Sequence, residues 1–152
     1  LLKRLTSPIS FIEPCAGDGR LIDMLDFAGH TCTFASDIEP RRNDIYALNA
    51  LDLTENDCLF ADMIITNPPW SRGVLHPLIL HFCQLRPTWL LFDADWAYTK
   101  QAKVYLKYCV EIIAIGRLKW IEDSPYSGKD NCAWYLFDKE QTEHVRFYGV
   151  DK

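Results

Sequence analysis

The sequence predicts an α/β fold: a mostly parallel sheet with helices between its strands and an antiparallel strand at the C-terminal end. Apolar, β-branched runs recur at 9–13, 31–36, 50–53, 62–65, 88–92 and 110–115, with helical periods or turn residues between them. Four of the runs end on a polar side chain, at Glu13, Asp37, Asp52 and Asn67. That pattern suits an open parallel sheet, whose strand ends line one crevice. The last two runs, 132–137 and 144–148, follow with no helical stretch between them, so they close the sheet.

Composition bounds what the chain can be. With 152 residues, 49% apolar and 24% charged, it has enough material for one domain with a buried core, and it is not disordered. No apolar run approaches the ~18–20 residues that span a bilayer, and no secretory signal opens the sequence. The six cysteines (15, 32, 58, 83, 109 and 132) form no Cys-x-x-Cys pair, which argues against both a zinc site and a disulfide scaffold. Reduced thiols in a cytoplasmic protein are expected, with no metal. His76 and His81 stand five apart, wrong for one helical face.

Taken in order, residues 9–13 form a short buried strand, and Gly17 and Gly19 then turn the chain into a helix over 20–28 that Gly29 stops. A dinucleotide site would carry a third glycine three residues after the second, where this sequence has Ile22, so hydride transfer loses ground. The strand 31–36 runs into Asp37, with Ile38 beside it. A carboxylate there is placed to accept both hydroxyls of a ribose, or else Asp37 or Glu39 caps the next helix. That helix is expected over 41–49 and a third strand over 50–53.

The fourth strand, Asp62 to Ile65, ends abruptly in Asn67-Pro68-Pro69-Trp70. Prolines donate no backbone hydrogen bond and hold the preceding residue extended. The turn therefore offers acceptors, the Asn67 side-chain oxygen and the Pro68 carbonyl, to the two hydrogens of an amino group. Trp70 can stack on the ring that bears it. Beyond it come a helix over 74–85, a strand over 88–92, a helix over 98–108 carrying Lys100, Lys103 and Lys107 on a solvated face, and a strand over 110–115. The stretch 116–131 has no period and is long enough to be functional.

Asn67-Pro68-Pro69-Trp70 behind an apolar strand resembles the catalytic motif of S-adenosylmethionine (SAM)-dependent amino-methyltransferases, above all those acting on adenine N6 in DNA. Glu13-Pro14-Cys15-Ala16-Gly17-Asp18-Gly19 is similar to that family's first motif, (Asp/Glu)-Pro-x-x-Gly-x-Gly, which precedes the catalytic one. The resemblance implies a single Rossmann-like SAM-methyltransferase domain over residues 1–152, with a seven-stranded sheet. It implies SAM as cofactor, with Glu13 near the methionine end, the glycine turn beneath it, Asp37 on the ribose, Asp52 on the adenine amino group and Leu53 on the ring. Asn67 belongs to both the cofactor and the catalytic sets.

DNA is then the expected partner. A net charge of −5 counts against a wide phosphate footprint. Arg72, and Arg117, Lys119, Trp120 and Lys129 in the 116–131 stretch, are the candidate DNA-facing residues, where basic and aromatic groups interleave. The family's separate target-recognition domain has no counterpart here, so relaxed sequence recognition, a homodimer or a partner subunit is expected. RNA or protein glutamine amides are alternative substrates, though those enzymes usually carry Tyr where this chain has Trp70. A non-catalytic SAM- or nucleic-acid-binding subunit is the alternative of another class.

Overall fold

Side chains that alternate in direction build the sheet from its middle outwards. In a computed structural model, which describes residues 1–118, 128–140 and 144–150, the elements are β1 (Ser10–Glu13), α1 (Arg20–Phe27), β2 (Thr31–Asp37), β3 (Tyr46–Ala47), β4 (Met63–Thr66), α2 (Arg72–Leu85), β5 (Thr88–Asp93), α3 (Lys103–Leu106), β6 (Cys109–Arg117), β7 (Asn131–Phe137) and β8 (Arg146–Tyr148). They form one sheet in the order β3-β2-β1-β4-β5-β7-β6-β8. Ile64, Leu90, Phe92, Ala133 and Tyr135 face α2, while Ile65, Trp89, Leu91, Cys132 and Trp134 face α1 and the N-terminal segment. Both faces are thus apolar, as parallel strands covered on two sides require.

The α/β class holds, with one strand more than expected. β7 is the antiparallel strand, inserted between β5 and β6, and the last strand, β8, runs parallel to β6 at the far edge. β7 pairs antiparallel with β6 from Cys109–Phe137 to Arg117–Asn131, and just beyond the Gly128 N–H donates to the Leu118 carbonyl at 2.7 Å.

Three other expectations fail for local reasons. Residues 41–49 are not helical. Arg42 is drawn off by Asp44 and Asp23 at 2.6 and 2.7 Å, and Tyr46–Ala47 pairs with Ser36–Asp37 instead. The expected strand over 50–53 is a 3-10 turn over Ala50–Asp52, because the Asn49 side chain accepts from the Leu51 N–H at 3.0 Å. The helix expected over 98–108 is broken at Thr99. Its hydroxyl donates to the Trp96 carbonyl at 2.8 Å and accepts from the Ala102 N–H at 3.3 Å, ending one turn and starting the next.

The N-terminal segment is held by a two-pronged ion pair. Arg4 donates to both oxygens of Glu111 at 2.7 and 3.0 Å, and its guanidinium lies 4.3 Å over the Tyr148 ring. Glu111 is buried in β6, so losing Arg4 leaves a carboxylate whose remaining cation, Arg146, is 3.7 Å away. Arg4→Ala should lower the melting temperature, and adding Glu111→Leu should restore part of the loss, in thermal unfolding followed by circular dichroism. An unchanged melting temperature for Arg4→Ala would show the pair to be ornamental.

Candidate functional site

The strand order reverses direction at β1, with β2 on one side and β4 on the other. At such a switch point the loops leaving neighbouring strands diverge and open a crevice. A cleft of about 250 Å³ lies there, lined by Pro14 and Cys15 after β1, Asp37 and Ile38 after β2, and Pro69 after β4, with Val74 and Leu78 of α2 behind. Asn49, Ala50 and Leu51 complete it. A larger groove of about 600 Å³, between the N-terminal segment, α1 and β6–β8, contains none of the candidate residues.

The glycine turn is built to bring backbone to this cleft. Gly17 and Gly19 have φ of 54° and 76°, a region that a side chain makes costly. A methyl group on Gly19 would also collide with the Arg42 guanidinium. The turn is tied to β2 by Asp37, whose carboxylate accepts from the Gly17 N–H at 2.8 Å and from the Glu39 N–H at 2.8 Å. The Ala16 N–H donates to the Ser36 carbonyl at 3.0 Å, and the Arg41 N–H to the Gly17 carbonyl at 3.1 Å. Asp37 stays partly exposed at the cleft, and Glu39 points to solvent outside its lining.

Glu13 ends β1 beneath the turn with 2% of its surface exposed, and its Oε2 has no hydrogen-bond partner. Burial, and then the charges of Asp37 and Asp18, push its carboxyl up to about 9. A buried acid with an orphaned oxygen, two glycines at positive φ and an apolar cleft beside a strand-end carboxylate fit a nucleoside carrying a cationic tail. The Cys15 thiol is driven up to about 12, mainly by burial, so it lines the cleft as an inert wall.

Asp52 and Leu53 are placed differently from what the sequence suggested. Asp52 is exposed on the 3-10 turn and does not line the cleft. Leu53 is 2% exposed in the core, with its carbonyl accepting from the His81 ring N–H at 2.9 Å. Asn49, Ala50 and Leu51 occupy the wall instead. Asn49 carried a signal, since an Asn two residues before the Leu51 amide is a capping pattern.

The proline turn leaves β4 at the edge of the same cleft. Pro68 is buried, Pro69 is exposed and forms a wall, and Asn67 and Trp70 are half-buried. The Trp70 indole N–H donates to the Asn67 Oδ1 at 3.2 Å, so the turn closes on itself. Arg72 opens α2 two residues on and is exposed. Arg117, at the end of β6, and Lys129 are exposed as well, whereas Lys119 and Trp120 lie outside the described residues. Among the described residues no group of His, Cys, Asp or Glu is placed to hold a metal, and no helix is long and apolar enough to cross a membrane.

No family's sequence profile matches this chain, and no curated protein sequence does. Solved structures do. A Pyrococcus horikoshii protein regarded as an RNA methyltransferase superposes with a TM-score of 0.60 at 12% identity, over 90% of this chain and 80% of that one. The Schizosaccharomyces pombe Dnmt2 methyltransferase gives 0.58 at 15% identity, over 91% of this chain and 52% of its own. The M protein of the type I restriction enzyme EcoKI gives 0.56 at 12%, over 98% and 46%. This chain therefore spans about half the length of the latter two. The fold is the Rossmann-like fold of the SAM-dependent methyltransferases.

The raised Glu13 carboxyl makes a prediction about pH. Unfolded, this group ionises near ~4.3, whereas folded it holds its proton to about 9. Between these values the unfolded chain binds fewer protons, so stability falls as pH rises through that window. Glu13→Gln removes the slope. Its melting temperature relative to wild type, without ligand, should climb steadily from about pH 5 to about pH 8.5. A constant difference across that range would mean that Glu13 is ionised throughout.

Proposed function

We propose that this chain transfers a methyl group from SAM to an exocyclic amino nitrogen, that of adenine N6 in DNA. The observation that carries this is the shared wall. Pro69 belongs both to the apolar cleft at the switch point and to the turn that presents Asn67 and Trp70. A methyl donor seated in the cleft and an amino group held by the turn would meet across it, and the cofactor's sulfonium supplies the electrophilic methyl.

The protein's own residues do the rest. Asp37 would hold the ribose hydroxyls, giving up or sharing its bond to the Gly17 N–H. Glu13 would lie under the methionine end, where a nearby cation favours its ionised form. Cys15, Ile38, Ala50 and Leu51 exclude water from the cleft. An adenine amino nitrogen is a feeble nucleophile because its lone pair is delocalised into the ring. Hydrogen bonds from its two N–H groups to the Asn67 Oδ1 and the Pro68 carbonyl stabilise the positive charge that grows there during attack. To accept the first of them, the Asn67 Oδ1 must exchange its bond to Trp70. The released indole can then turn its face to the base, with stacking contributing ~1–3 kcal/mol. The base must leave its helix to reach this turn.

RNA is the second reading, favoured by the likeness to the P. horikoshii protein. The turn reads an amino group and a ring, which DNA and RNA share.

Labelled methyl transfer from SAM to DNA, RNA and protein in parallel tests the reading, with Asn67→Ala as the diagnostic variant. The variant should lose about 10²–10³ in kcat, with an equal loss in kcat/KM, while cofactor affinity stays put. Trp70→Ala should act mainly on KM, by weakening capture of the base. Near-normal turnover in Asn67→Ala would sink the mechanism, and label found only on protein would replace the nucleobase by a side-chain amide.

A further inference from the structure

Beside the proline turn, the start of α2 and the segment 100–105 enclose an open cleft of about 480 Å³. Arg72, Gly73, His76, Lys100, Gln101 and Tyr105 line it, together with a valine, and none of the lining residues is acidic. For a chain of net charge −5 that is a local reversal of sign. It arises from the break at Thr99. A continuous helix would array Lys100, Lys103 and Lys107 on one solvated face. Instead a 3-10 turn over Lys100–Ala102 brings Lys100 to the cleft, and Lys107 lies over the Tyr108 ring at 4.7 Å.

The charges here are uncompensated. Arg4, Arg20, Arg42, Arg86 and Arg146 each meet a carboxylate, within 2.6 to 3.7 Å. Among the described residues, Arg72 and Lys100 meet none. The Arg72 Nη1 donates instead to the Gln101 Oε1 at 3.0 Å, a neutral partner that fixes the guanidinium and leaves its charge intact. The floor is rigid as well. His76 stacks on Tyr105 at 4.3 Å, and its Nε2 accepts the Trp96 indole N–H at 3.0 Å, which leaves the ring proton on Nδ1 as a further donor. No acid occupies the first turn of α2, whose amide end favours an anion.

We propose that this cleft binds a backbone phosphate of the nucleic-acid strand whose base is presented to Asn67, with Arg72 and Lys100 as its cations. The proposal rests on the reading of the chain as a nucleobase amino-methyltransferase and adds where the strand is held. Arg72 follows Trp70 by two residues, so the phosphate and the base sites lie side by side at the carboxyl edge of the sheet. Gln101 is a positioning residue that holds the guanidinium. Phosphate contacts fix register without reading sequence, so the site takes any sequence in which an adenine can be swung out.

The test is fluorescence anisotropy with a labelled, adenine-containing single strand, titrated at several salt concentrations, on wild type and Arg72→Gln/Lys100→Gln. Losing the one phosphate that the two cations neutralise should flatten the plot of log affinity against log salt by ~0.7 for a single strand. Affinity at low salt should fall at least tenfold, while that for S-adenosylhomocysteine stays within twofold and reports an intact fold. Gln101→Leu, which keeps both charges, should weaken binding without changing the slope. An unchanged slope and affinity in the double variant overturns the cleft, as does a wild type that binds no strand. Methylation measured on the same samples separates the two ideas. Methyl transfer with an unchanged slope rejects the cleft alone, whereas salt-dependent binding lost in the variant, with no transfer by wild type, rejects the catalytic reading alone.

Discussion

The carboxylate of Asp37, bonded at 2.8 Å to the N–H of Gly17, joins the two strand ends on which the site depends. β1 and β2 are neighbours, and backbone bonds from the Ala16 N–H to the Ser36 carbonyl and from the Arg41 N–H to the Gly17 carbonyl already join the segments that leave them. The Gly17 N–H adds a charge-assisted bond to the strand-end acid, and glycine is needed because φ is 54° there. With the turn pinned, Glu13 is sealed beneath it and the cleft between Pro14, Ile38 and Pro69 takes its shape. The charge on Asp37 in turn helps to hold the proton on Glu13.

The proline turn brings a second constraint. Because Pro68 and Pro69 lack N–H groups, the turn cannot satisfy the Asn67 side chain from its own backbone at those positions. The Trp70 indole does so instead. Without substrate the acceptor is therefore not left bare, and the aromatic ring that would hold a base is folded against both apolar clusters of the core. The cleft next to it gathers Arg72 and Lys100 with no acidic residue in its lining, although the molecule as a whole is acidic.

Most of what places the site was legible in the sequence, because the information is local. Apolar runs marked β1, β2, β4, β5, β6 and β7 to within a few residues, and Asp37, which closes the second, lines the cleft. Glu13, Asp37 and Asn67 stand at strand ends as their positions implied. What stayed hidden turns on which hydrogen-bond partner a polar side chain takes. Arg42 unwinds an expected helix by reaching Asp23 and the Gly19 carbonyl. Asp52 and Asn49 both suit a turn, and only the 3-10 geometry decides that Asn49 faces the cleft. Thr99 could equally have continued a helix or broken it, and the break is what gives Lys100 its place beside Arg72.

The account stands on the claim that the cleft closed by Asp37 is the seat of SAM. Calorimetric titration with S-adenosylhomocysteine, on wild type and Asp37→Ala, addresses it directly. The account predicts measurable binding by wild type and a loss of about 1.5–3 kcal/mol in the variant, from the two ribose contacts and the loosened glycine turn. Equal affinity in the two proteins, or no binding by wild type, would contradict it.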